Sequence, residues 1–302
     1  MYLSWQKNVI FAADMNKTLM MRGRLYDLSR PLVMGIMNVT PDSFYAGSRQ
    51  QTEAAIAART EAIIAEGGTL IDVGAFSTRP GATEVSEAEE MSRLRFALEI
   101  VQKHRGDGVV SVDTFRPDVA RMAVEEYGAD MINDVSEGGV TGVANQPLAA
   151  GDDDCPAMFR MAARLQVPYV LMSVRGTLEE LMISTASKVQ QLRSLGVKDI
   201  ILDPGFGFGK TLEQNYRLLF EMDKLQELGL PILVGLSRKS MIYQRLGGTP
   251  ETSLNGTTVL NTVALMKGAN ILRVHDVREA VEAGKLFQVT SENFVQVISD
   301  KL

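Results

Sequence analysis

Residues 193–205 read RSLGVKDIILDPG: a helical tail, a glycine, a short apolar run and a polar residue at its end. The glycine suits the left-handed residue that closes a helix. The run is short, branched and non-alternating, as in a parallel strand buried on both faces. The same plan returns in AEGGTLIDVG (65–74), EEYGADMINDV (125–135), QELGLPILVGLS (226–237) and MKGANILRVHD (266–276). Eight such runs are found, over 32–37, 69–73, 109–112, 130–133, 168–172, 199–202, 231–235 and 270–274. They recur about every 34 residues, the size of one βαβ unit. Helical patterns fill intervals between them: 53–66 with Ile56, Ile63 and Ile64 on one face, 178–195 with Leu181, Val189 and Leu192, and 213–228 with Leu218, Met222 and Leu225. Eight strand–helix units favour a single (β/α)8 TIM barrel, an α/β fold; periodicity alone leaves an open doubly wound sheet as the alternative. Residues 1–31 fall outside the count and read as a short N-terminal lead-in to a barrel over 32–302.

Composition narrows the function classes. A length of 302 residues suggests two domains as a first guess, which the barrel reading reduces to one. With 45% hydrophobic and 23% charged residues, the chain is of ordinary globular composition and not intrinsically disordered. Its 31 Lys and Arg against 37 Asp and Glu give a charge of −6, and no block of like charge suggests a nucleic-acid surface. The single Cys155 excludes an intramolecular disulfide and a cysteine-based zinc site. Two histidines, His104 and His275, exclude a multi-histidine centre. The N-terminal stretch lacks a signal-peptide pattern, and no apolar run approaches membrane-span length. The expectation is a soluble protein without nucleic-acid or membrane partners, most simply cytoplasmic.

The strand ends carry the chemistry. In such a barrel the active site forms at the C-terminal ends of the strands, and there lie Asn38, Asp113, Asn133, Met172, Asp203, Arg238 with Lys239, and Arg273 with His275. Any one of these polar residues is equally well a cap for the next helix. The set is not, because Asn133 and Asp203 precede loops and Arg273 closes an apolar strand, where a cation needs a partner. Carboxylates that only accept hydrogen bonds, and a carboxamide that does both, match a flat heterocycle; Arg and Lys suit an anion. The loop GAFSTRPGATEVSEAEE reads as a binding flap with Arg79, its second half giving a helix capped by Ser86 and Glu89. NVTPDSFYAGSRQ adds Phe44 on a polar loop, either a stacking residue or one tucked over the rim.

DPGFGFGKT departs from a Walker A loop, since Pro204 stands where its first glycine belongs, and it lacks the second half of a dinucleotide fingerprint. Its glycines are expected to bring backbone close to a ligand, with Phe206 or Phe208 as a wall. Asp152, Asp153 and Asp154 read as a solvated loop, Asp154 capping a helix from about 156, in preference to a metal cluster.

MGIMNVTPDSF, STRPGA, SVDT, INDVS, DPGFGFGK, GLSRKS and RVHDV occur in order, and with them residues 32–288 resemble the dihydropteroate synthase family. The resemblance implies a pterin-binding barrel of folate biosynthesis. Such enzymes condense 6-hydroxymethyl-7,8-dihydropterin diphosphate with p-aminobenzoate, giving 7,8-dihydropteroate and pyrophosphate, with Mg²⁺ assisting. Carried onto this chain, Asp113, Asn133, Met172, Asp203 and Lys239 would hold the pterin, with Arg273 over its face. Asn38, Arg79, Arg273 and His275 would surround the diphosphate, and Asn38 would reach the magnesium. Phe44, Thr78, Pro80, Phe208, Lys239 and Ser240 would frame the p-aminobenzoate. Asp113, Asp203, Lys239, Arg273 and His275 would be the catalytic set. The resemblance also implies a homodimer and competition by sulfonamides. Departures occur where the family commonly reads GGESTRPG and ends its fifth strand Met-His-Met: here stand Gly74-Ala75-Phe76 and Met172-Ser173-Val174. Two alternatives compete: a pterin-binding paralogue without synthase activity, and a methyltetrahydrofolate-dependent corrinoid methyltransferase, for which STRPG, SRKS and RVHDV have no use.

Overall fold

The computed structural model describes residues 17–39, 49–76, 85–139 and 155–299. A hairpin of β1 (Thr18–Met21) and β2 (Arg24–Asp27) comes first, and eight parallel strands follow. These are β3 (Leu32–Asn38), β4 (Leu70–Gly74), β5 (Val109–Asp113), β6 (Met131–Asp134), β7 (Tyr169–Met172), β8 (Ile200–Asp203), β9 (Leu233–Val234) and β10 (Ile271–Val274). They hydrogen-bond in the order β8-β7-β6-β5-β4-β3-β10-β9. A parallel bridge from Leu202 to Ile232, with Leu202 N–H donating to Pro231 O at 2.9 Å, brings β8 to the start of β9 and all but closes the barrel. This bears out the closed (β/α)8 architecture and removes the open sheet.

Every expected strand is present within a residue or two of its predicted bounds, and β9 is the one that shrinks most in proportion, to two residues. Pro231 has no N–H to give to a ladder. The Ile232 N–H is taken by the Asn270 side-chain oxygen at 3.0 Å instead of a neighbouring strand.

Helices fill the intervals: α1 (Arg49–Ala65), α2 (Glu87–His104), α3 (Pro117–Glu125), α4 (Ala157–Leu165), α5 (Leu178–Ser194), α6 (Leu212–Glu221), α7 (Ser240–Leu246), α8 (Leu254–Met266) and α9 (Val277–Ser299). The helix expected over 213–228 is instead divided, α6 giving way to a 3₁₀ segment at Met222–Leu228. The tighter turn superposes residues three apart, so Met222 and Leu225, both fully buried, face the core together. Ser86 caps α2 by accepting from Glu89 N–H. The return half of the expected capping box is not made, because the Glu89 carboxylate pairs with Arg93 one turn on. Pro156 precedes α4 without a side-chain cap; Asp154 and its two acidic neighbours lie outside the described residues.

The strands have two apolar faces with different partners. Val33, Ile71, Val110, Ile132, Leu171, Leu202, Val234 and Leu272 point outward into the layer beneath the helices. Met34, Leu70, Val109, Met131, Val170, Ile201, Leu233 and Ile271, one from each strand, fill the barrel's lower interior. Leu19, Met21 and Leu28 of the N-terminal hairpin pack onto that inner set and close the barrel floor. Side chains alternate along a strand, so the next inward residue on every strand lies two positions further toward the C-terminal mouth.

Candidate active site

Two residues on from the apolar floor, the inward positions are Ile36, Asp72, Ser111, Asn133, Met172, Asp203, Gly235 and Arg273. Two further on they include Asn38, Asp113 and His275. One strand periodicity thus turns the barrel from an apolar floor to a polar chamber and collects the strand-end residues picked out in the sequence.

Asp72, which the sequence reading passed over, is the hub. Fully buried, it accepts from Ser111 Oγ at 2.6 Å, Asn133 Nδ2 at 3.0 Å and Arg273 Nε at 2.6 Å. Arg273 Nη2 reaches across to Asp113 Oδ2 at 2.7 Å. Burial works against the Arg273 charge, but Asp72 and Asp113 hold the guanidinium more firmly protonated than usual. Asp113 goes the other way: desolvation lifts its carboxyl to about 7, with Arg273 opposing and Asp72 adding to the rise. Asp113 Oδ1 and Asn133 Oδ1 are buried without a hydrogen-bond partner among the described residues. Such atoms are costly unless something completes them.

Across the chamber Asp203 accepts from Gly205 N–H at 2.8 Å; burial raises its pKa and Lys239 pulls it back. Lys239 donates to Phe206 O, and its ammonium lies 4.6 Å from the Phe208 ring centroid. Burial lowers its pKa to about 8, against the pull of Asp203. Lys210 is likewise lowered to about 8 by burial, and donates to Ser173 O, Gly205 O and Phe208 O at 3.0–3.2 Å. The glycines of GFGFG serve this folding: Gly205 has φ +69°, and a Cβ there would stand 2.0 Å from Ser173 O. Phe206 is part of the buried outer layer, while Phe208 packs with Met172, Val135, Val174 and Phe76 at the mouth. Of the two phenylalanines it is Phe208 that borders the mouth, and two of the departures, Phe76 and Val174, join the same apolar patch. Ser240 opens α7, with Lys239 as the residue before it.

On the remaining side, Ser237 Oγ and His275 Nδ1 lie 3.0 Å apart. Asn38 is exposed at the end of β3, and a cleft of about 340 Å³ is lined by Asn38, Thr52, Arg59 and His275. Arg59 donates to His275 O at 2.7 Å and to Ile36 O at 3.3 Å, tying the ends of β10 and β3 together. Arg238, expected to face an anion, turns away and forms a two-point ion pair with Asp276 at 3.0 and 2.5 Å. His104 is on the helical surface beside Glu61 at 2.7 Å.

The structure therefore brings together Asp113, Asn133, Met172, Asp203, Lys239, Arg273 and Phe208, with Asn38, Ser240 and His275 at the rim. Phe44, Thr78, Arg79 and Pro80 lie outside the described residues. Among the described residues no group of three or more His, Cys, Asp or Glu is placed to hold a metal ion. Asp72 left one signal in the sequence: an acid two residues after Leu70 in a run otherwise buried on both faces.

Comparison with known proteins identifies the family. The model of the pterin binding enzyme family matches residues 34–275. The dihydropteroate synthase of Escherichia coli K12 is 38% identical over 285 residues, covering 89% of this chain and 95% of that protein. The structure of Xanthomonas albilineans dihydropteroate synthase with 4-aminobenzoic acid superposes with a TM-score of 0.79 at 37% identity, covering 90% of this chain and 97% of that one. Yersinia pestis dihydropteroate synthase with a pterine–sulfa conjugate gives 0.75 at 34% identity, covering 92% and 99%. The chain belongs to the pterin binding enzyme family, among its dihydropteroate synthases.

Proposed function

We propose that this chamber condenses 6-hydroxymethyl-7,8-dihydropterin diphosphate with p-aminobenzoate to 7,8-dihydropteroate and pyrophosphate, as its family membership implies. The observation that carries the reading is the pair of orphaned acceptors, Asp113 Oδ1 and Asn133 Oδ1, side by side on β5 and β6. A pterin's ring edge supplies N–H donors for both, and Met172 and Arg273 border the same space. Arg273 and His275 attract the diphosphate, joined by Arg79.

The carbon–oxygen bond breaks with its electron pair leaving on the diphosphate. Cation character grows on the pterin methylene, and the buried Asp203 carboxylate stabilises it. The arylamine nitrogen donates its lone pair to that carbon and releases a proton. Phe208 walls the arylamine subsite with Ser240 near the arylamine carboxylate, and the family resemblance assigns Thr78, Pro80 and Phe44 to the same subsite. Sulfonamides, sharing the arylamine, compete there. Exclusion of water from the chamber would protect the cation.

Among the described residues Asn38, exposed at the rim, would hold magnesium, with water and substrate phosphates supplying the rest of its shell. Bound there, it would neutralise charge on the leaving diphosphate. A homodimer is supported by exposed apolar side chains on α8 and α9, including Val259, Met266, Leu286 and Val289. No described helix is long and apolar enough to cross a membrane; the cytoplasmic location belongs to the proposal.

Calorimetric titration with the pterin diphosphate tests the assignment of the pocket. Binding by the wild type that is lost in Asn133→Ala supports it; equal binding by both proteins contradicts it.

A further inference from the structure

We infer that Asp72 is a positioning residue that sets the hydrogen-bonding polarity of the pterin-recognition edge. The inference rests on the pterin reading of the chamber. Three strands send a donor to this one carboxylate on β4: Ser111 from β5, Asn133 from β6 and Arg273 from β10. An ionised Asp accepts only. It therefore decides which way the Asn133 carboxamide faces: the NH₂ toward Asp72 at 3.0 Å, and Oδ1, buried and unpartnered, toward the chamber. The flipped amide would set oxygen against oxygen. Asp72 also captures Arg273 Nε at 2.6 Å, which aims Nη2 at Asp113. Two acceptors, Asn133 Oδ1 and Asp113 Oδ1, consequently face the ligand together.

Without Asp72, Asn133 is free to present either end, so the edge no longer demands a donor from its ligand. With Asn at position 72, the carboxamide oxygen still receives Asn133 while its NH₂ turns to Ser111 Oγ, which accepts as readily as it donates. That variant keeps the polarity and loses only the charge that steadies Arg273.

The test is the binding of 6-hydroxymethylpterin against its 2-deamino analogue, in which hydrogen replaces the 2-amino donor and no new N–H is introduced on that edge. Asp72→Ala is expected to shrink the preference for the pterin by about tenfold or more, as one lost polar discrimination does. Asp72→Asn should keep the preference and weaken both ligands by about tenfold, the loss of one charge-assisted bond. The KM for p-aminobenzoate should stay within about twofold of wild type. Thermal unfolding is recorded for each protein; a purely structural role weakens both ligands in proportion and leaves their ratio unmoved. An unchanged ratio in Asp72→Ala overturns the inference, and so does a lost preference in Asp72→Asn; if the alanine variant does not fold, Asp72→Ser is read for the same ratio, because a hydroxyl that donates as well as accepts leaves the Asn133 amide free to turn either way. If the wild type binds neither ligand, the pterin reading itself falls, and this inference with it.

Discussion

Arg273 Nη2 donates to Asp113 Oδ2 at 2.7 Å, joining β10 to β5 across the barrel although the two strands are not neighbours in the sheet. The same guanidinium holds Asp72 through Nε. Removing it leaves the buried Asp72 carboxylate and the half-buried Asp113 carboxylate without their shared cation. Arg273→Ala is expected to cost about 3–5 kcal/mol of stability, the range for breaking a buried pair from one side, and to weaken pterin diphosphate binding. Arg273→Lys should not restore either property, because a single ammonium cannot span both carboxylates as the planar fork does. Urea unfolding and calorimetry read the two effects; a stability loss below about 1 kcal/mol would show that the bridge carries little.

Pterin affinity should depend on pH through Asp113. Burial raises its pKa to about 7, whereas a ligand N–H requires the ionised acceptor. Below that value only the ionised fraction binds, so the Kd rises by about tenfold per pH unit on acidification and is flat above. Titrations between pH 5 and 8 check the slope, and Asp113→Asn should abolish it. A pH-independent wild type would remove the carboxylate from recognition.

An alkaline limb in kcat/KM is expected from Lys239, whose ammonium burial lowers to about 8. Activity falls above that pH as the charge near Asp203 and the anionic substrate is lost. Lys210 is lowered to the same region, but it points at three loop carbonyls. Lys239→Gln separates them: a weak residual activity that no longer falls above pH 8 assigns the limb to Lys239, and persistence of the limb assigns it to Lys210.

The floor of the barrel can be tested apart from its mouth. Leu19 is 1% exposed and reaches the inner apolar set from the N-terminal hairpin. Leu19→Ala should destabilise by about 2–5 kcal/mol through transfer and cavity terms. Its KM values should remain those of wild type, since the polar chamber begins two residues further along each strand. Chemical denaturation with kinetics on the same sample reads both.

Much of this was legible because burial imposes itself on sequence. A parallel strand under helices must be apolar on both faces, so Ile200–Leu202 and its seven counterparts announced the barrel, and Asp113, Asn133, Asp203 and Arg273 broke that pattern where strands end. Asp72 stayed hidden because it breaks the pattern inside a run; only the inward parity it shares with Leu70 distinguishes it. The shortening of β9 arises from Asn270 and Pro231, residues nearly forty apart in sequence. Arg238 follows the same rule: Asp276, which claims it, comes from the end of another strand. The hairpin floor was not legible at all, since four-residue strands carry almost no periodic signal.

The most direct measurement supplies the protein with the pterin diphosphate, carrying ¹⁸O at its bridging carbon–oxygen position, together with p-aminobenzoate and Mg²⁺. Mass spectrometry of the products is expected to find dihydropteroate and equimolar pyrophosphate, with the label in the pyrophosphate, because the carbon–oxygen bond is the one that breaks. Pterin binding without dihydropteroate, or pyrophosphate without the label, would contradict the account.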